Sequence, residues 1–147
     1  MPRELVVLLD DRLLVEELLV GLDRGRRRPA LFTTSYWYYR ACRAAVVGAG
    51  GHLSGPFEQL GAEEQERAIL GLLELREDIG LPDPRQTVPV MAELARRHAQ
   101  LNVLNLEAAA SALVLDSEVW LSAEASKGVL PAVLEAEGTR WKVVSHR

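Results

Sequence analysis

The chemistry open to this chain rests on a few acids and amides and on one run of aromatic and arginine residues. Asp10 and Asp11 follow directly on the apolar run Glu-Leu-Val-Val-Leu-Leu at 4–9. Asn105 and Glu107 stand at the head of a small-residue stretch, and Glu124 follows Glu-Val-Trp-Leu-Ser-Ala. Tyr36-Trp37-Tyr38-Tyr39 holds half of the eight aromatic residues and runs into Arg40 and Arg43. On a helix, Tyr36, Arg40 and Arg43 are spaced i, i+4 and i+7 and share a face. Such a face can bind single-stranded nucleic acid, a ring stacking on a base and guanidinium groups meeting phosphates. The same rings can instead pack the helix on a sheet, with their polar tips partnered.

The elements that must position these residues are legible as an alternation. Residues 4–9 read as a strand buried on both faces, being short, continuously apolar and branched. A helix follows from Leu13, with Asp11 as its expected cap. Residues 21–29 are a polar loop with Arg24, Arg26, Arg27 and Arg28, and residues 30–34 a second strand. Ser35 is the expected cap of the aromatic helix, which runs toward Val47. Residues 48–61 hold five glycines and Pro56 and read as a long loop. A helix spans residues 62–73, with Glu63 and Glu64 complementing its dipole. Leu81-Pro82-Asp83-Pro84 breaks the chain before a helix over 88–98 that has Pro89 in its first turn. Asn102 or Asn105 caps the next helix, to Leu115. A strand at 118–122, a helix at 128–137 closed by Gly138, and a strand at 140–144 complete the chain. The alternation predicts a single α/β domain over 1–147, a mainly parallel sheet between two helical layers. Sites in such sheets form beyond the carboxyl ends of the strands. That rule selects Asp10, Asp11, the start of the Tyr36 helix, Asn105, Glu107 and Glu124, and it places the 24–28 arginines at the opposite end.

Composition narrows the function. The net charge of −4 is opposite to that of a dedicated nucleic-acid binder, so any such binding needs a local patch. Cys42 is the single cysteine, which excludes an internal disulfide, and the three histidines match no zinc spacing. No apolar run reaches the ~18 residues of a membrane span, and the N-terminus lacks a signal-peptide pattern. The expectation is a cytoplasmic protein. The loop Gly50-Gly51-His52-Leu53-Ser54-Gly55 lacks the ending of a P-loop, and no acid is placed to orient His52 toward Ser54.

Three segments carry a family resemblance: Val7-Leu8-Leu9-Asp10 with Leu13-Leu14, Leu104-Asn105-Leu106-Glu107-Ala108-Ala109-Ala110, and Val119-Trp120-Leu121-Ser122-Ala123-Glu124. In these the chain resembles the PIN-domain family over essentially its whole length. The resemblance implies a three-layer α/β/α nuclease fold whose acids hold Mg²⁺ or Mn²⁺ for phosphodiester hydrolysis. Carried over by position, the first Asp is Asp10, the middle Glu falls at Arg40 or Tyr39, the third acid at Asn105 and the fourth at Glu124. Two carboxylates remain of the usual four. Asp10, Asn105 and Glu124 are thus the implied catalytic residues, and Asp10, Glu124 and Glu107 the implied metal ligands. A cation at Arg40 suggests a guanidinium lying between Asp10 and Glu124 in place of a metal. The reading favoured is a degenerate PIN-like domain with weak or no catalysis, binding RNA or a protein partner. Its alternatives are a Mg²⁺- or Mn²⁺-dependent ribonuclease and a structural module that forms a homodimer.

Overall fold

The computed structural model describes residues 4–25, 28–47 and 55–144. His52, Ser54, Arg26, Arg27 and His146 lie outside them, as do residues 48–54 of the glycine-rich segment; its described part is not all loop, since Gly55–Glu58 form a short helix. Five parallel strands form one sheet in the order β3-β2-β1-β4-β5: β1 Val6–Leu9, β2 Ala30–Thr33, β3 Ile79–Gly80, β4 Glu118–Leu121 and β5 Trp141–Val143. The connecting helices are α1 Asp11–Leu19, α2 Ser35–Val47, α3 Gly55–Glu58, α4 Ala62–Leu73, α5 Pro84–Arg97, α6 Val103–Leu115 and α7 Leu130–Ala136.

The period of two along the central strands builds two cores. Val7 and Leu9 of β1 and Trp120 of β4 point to one face, against Leu13, Leu14, Ala41, Ala45, Phe57 and Leu72 of α1–α4. Leu8, Val119 and Leu121 point to the other, against Leu94, Ala108, Ala112, Leu130 and Leu134 of α5–α7. Burial on both faces is why β1 is apolar at every position and β4 at every position after Glu118.

From β1 the chain steps to β2 and β3 on one side. It then crosses to β4 and β5 on the other, so the order reverses between β1 and β4. At this point the Asp10 N–H donates to the Trp120 carbonyl at 3.4 Å, and on the other side of β1 the Thr33 hydroxyl of β2 donates to the Leu9 carbonyl at 2.9 Å.

Several local expectations are corrected. Asp10, not Asp11, caps α1. It is extended (φ −75°, ψ 178°) and its carboxylate accepts from the Leu13 N–H, while Asp11 is the first helical residue. Thr34 rather than Ser35 caps α2, its hydroxyl accepting from the Trp37 N–H at 3.0 Å. Asn102 caps α6 through the Asn105 N–H. Helix α5 starts at Pro84, four residues earlier than expected, because Asp83 caps it and a proline at the first position needs no N–H. Pro89 therefore lies inside the helix, beyond its first turn. Strand β3 has two residues, too short to stand out by pattern.

Candidate crevice at the strand ends

The carboxyl ends of β1 and β4 converge on Asp10. It is fully buried, and both carboxylate oxygens are taken. Oδ1 accepts from the Leu13 N–H at 2.9 Å; Oδ2 accepts from the Ser122 N–H at 2.8 Å and the Ser122 hydroxyl at 2.6 Å. Asp10 thus joins the start of α1 to the end of β4. Burial pushes its carboxyl up to about 6, the neighbouring Asp11 charge pushes the same way, and the bonds from Ser122 and Leu13 oppose them.

Asp11 is 4% exposed, and its Oδ2 lies 3.1 Å from Nε of Arg40. The guanidinium therefore meets Asp11, where a position between Asp10 and Glu124 was expected. One helical step explains this: Asp10, as the cap, turns its carboxylate inward on the backbone, whereas Asp11 at the first turn faces α2. The Arg40 side chain is 38% exposed, so it reaches from the buried acid to solvent.

Arg40 is the wall between two depressions. One is a cleft of about 300 Å³ bordered by Asp11, Trp37, Asn105, Glu124 and Leu130. It brings together Asn105 and Glu124, which are distant in sequence. Glu124 is mostly exposed and lies 3.6 Å from the Lys127 ammonium. The other is a groove of about 550 Å³ lined by Tyr36, Tyr39, Arg40, Arg43, Asn102 and Val103.

The aromatic run divides between these roles. Trp37 is buried in the core, and the Tyr38 hydroxyl reaches the Leu72 and Leu73 carbonyls at 2.8 and 2.9 Å. Tyr36 and Tyr39 are 40% and 59% exposed and meet edge to face at 6.1 Å. Tyr39 belongs to the groove by its i, i+3 spacing from Tyr36, a signal the face Tyr36–Arg40–Arg43 leaves aside.

Glu107 is committed elsewhere. From α6 it accepts the Ser35 hydroxyl at 2.5 Å and the Tyr36 N–H at 2.8 Å, covering the free donors and positive end of α2. In the sequence Ser122 stands out only as part of a motif, yet among the described residues it makes the most bonds to Asp10; a strand-end serine carries no such signal by type. Of the 24–28 arginines, Arg24 and Arg28 lie at the opposite end of the sheet, where Arg24 and Arg76 both meet the Glu17 carboxylate, at 2.7 and 2.8 Å.

A hard divalent cation needs several carboxylate oxygens at once. Among the described residues no three His, Cys, Asp or Glu side chains are grouped to hold a metal ion. Asp10 is sealed by backbone and hydroxyl donors, Asp11 is paired with Arg40, and Glu107 is spent on α2. The ligand set Asp10, Glu124 and Glu107 is therefore not assembled, and the residues as placed do not fit Mg²⁺ or Mn²⁺. No described helix is long and apolar enough to cross a membrane.

No family model matches the sequence, and no curated protein matches it. Among solved structures, the chain is similar to one from the structure of VapBC-1 from nontypeable Haemophilus influenzae. The TM-score is 0.58 at 15% identity, over 95% of this chain and 98% of that one. At that identity the likeness is one of fold. With five parallel strands reversed beside β1 and helices on both faces, the chain has the PIN-like α/β/α fold.

Proposed function

We propose that this chain is a PIN-like binding module, with weak or no catalysis, that takes single-stranded RNA along the groove beside its crevice. One observation carries the reading: Tyr36 and Tyr39 stand exposed next to Arg40 and Arg43 in a groove at the active end of the sheet, while the neighbouring acids are engaged. Exposed rings offer stacking faces to bases whatever their sequence, and the guanidinium groups of Arg40 and Arg43 suit phosphates. A local patch of this kind is compatible with a net charge of −4. Hydrolysis through a metal has no such support, because among the described residues no three acids or other ligands gather to hold one.

Anisotropy of a labelled single-stranded RNA tests the binding. Replacing Tyr36 and Tyr39 together by alanine should weaken binding by about tenfold or more, since stacking is worth ~1–3 kcal/mol per base. Arg43→Ala should lower the slope of log affinity against log salt by about one. Equal binding by all variants would refute the groove as the RNA site, and absence of binding by the unaltered protein would leave the groove to a protein partner. Cleavage of the same RNA with and without Mn²⁺, compared with Asp10→Asn, tests the catalytic half. Metal-dependent cleavage that disappears in Asp10→Asn would make the protein a ribonuclease and overturn the reading.

A further inference from the structure

Two consecutive carboxylates are buried at the end of β1, Asp10 wholly and Asp11 almost so. Buried like charges side by side are costly unless a cation is near them. Arg40 approaches Asp11 from α2, its Nε 3.1 Å from Asp11 Oδ2. The same side chain borders the cleft that holds Asn105 and Glu124. We infer that the Arg40 guanidinium is the tethered counter-ion of Asp11 and fills the place beside that carboxylate that a divalent cation would need. A guanidinium is always charged, so the ion pair with Asp11 holds at any working pH. Held by its own helix, it is present at an effective concentration no free ion matches. Of the engagements that keep a metal from the crevice, this is the one that a single substitution removes while the bonds of Asp10 and Glu107 stay in place.

The inference predicts a gain of metal binding from a single change. Arg40→Glu removes the counter-ion and adds a carboxylate beside Asp11 and Glu124. Arg40→Met only removes the charge and carries the test if Arg40→Glu does not fold. Arg85→Glu, on the exposed start of α5, makes the same change in net charge away from the crevice. Binding is read with Mn²⁺ alone, by the loss of the free-ion electron paramagnetic resonance signal during titration, without RNA. The outcome therefore does not depend on the proposed RNA groove. Arg40→Glu should bind Mn²⁺ at least about tenfold more tightly than the unaltered protein and Arg85→Glu, because hard cations select sites by their carboxylate count. Arg40→Met should gain in the same direction by less. Adding Asp11→Asn to Arg40→Glu should cancel the gain. The inference is overturned if the unaltered protein binds Mn²⁺ as tightly as the Arg40 variants. It is equally overturned if those variants gain no more than Arg85→Glu, or if the gain survives Asp11→Asn.

Discussion

Protonation of Asp10 should set a measurable part of the pH dependence of stability. In the fold its carboxyl is pushed up to about 6 from an ordinary 3.8. Between those values the folded protein holds a proton that the unfolded chain has released. Stability must therefore fall as pH rises through that window and level off above it. The full effect is about 3 kcal/mol, from the gap between the two values at about 1.4 kcal/mol per decade of proton affinity. Between about pH 4.5 and about pH 7.5 the same linkage leaves a fall of about 2 kcal/mol. Asp10→Asn keeps the shape and removes the titration. It also turns an amide N–H₂ toward either the Leu13 or the Ser122 N–H, a buried donor conflict costing ~1–3 kcal/mol at every pH. The assay is urea unfolding of both proteins by tryptophan fluorescence at several pH values. Carboxylates such as Glu17 and Glu137, held low by arginine partners, add stability with rising pH in both proteins and cancel in the difference. The stability of wild type minus that of Asp10→Asn should fall by about 2 kcal/mol across this range. A flat difference would show that burial does not raise the Asp10 carboxyl, and a rising one would reverse the sign of the argument.

Other perturbations follow from the same contacts. Glu107→Ala leaves the Thr34 cap but removes the acceptor of the Ser35 hydroxyl and the Tyr36 N–H at the start of α2, and should cost ~1–2 kcal/mol in urea unfolding, with Glu107→Gln losing less because one amide oxygen still accepts. Glu17→Gln removes the carboxylate that joins Arg24 and Arg76. It should destabilise the protein near neutral pH and much less in acid, because a depressed carboxyl contributes stability that is lost as pH falls through its folded value. Leu121→Ala opens the core between β4 and the α5–α7 layer and should cost ~2–5 kcal/mol of unfolding free energy. Gly80→Ala places a Cβ on the Phe32 ring across the β2–β3 pair and should destabilise by ~1–3 kcal/mol unless that ring moves.

The architecture was legible in the sequence because hydrophobic patterning is local. Residues 4–9 read as a strand buried on both faces and residues 118–122 as a strand, and the alternation of strands with helices already calls for a parallel, two-sided sheet. The rule that sites lie beyond strand carboxyl ends likewise selected Asp10, Asn105, Glu107 and Glu124 from the sequence alone. Helix starts were read less well, since Asp10 and Asp11, or Thr34 and Ser35, are equally good caps by type; the backbone conformation that tells them apart is set by the strand before. What only the tertiary structure decided is who meets whom. Residue type does not say that Ser122 closes over Asp10, that Glu107 turns to the start of α2, or that Arg40 takes Asp11 and leaves Asp10 to the backbone. Nor does it say which two of four adjacent rings are exposed. Those pairings join residues up to 112 positions apart. They are fixed by strand order and helix packing, which place side chains within bonding distance only once the whole sheet has formed.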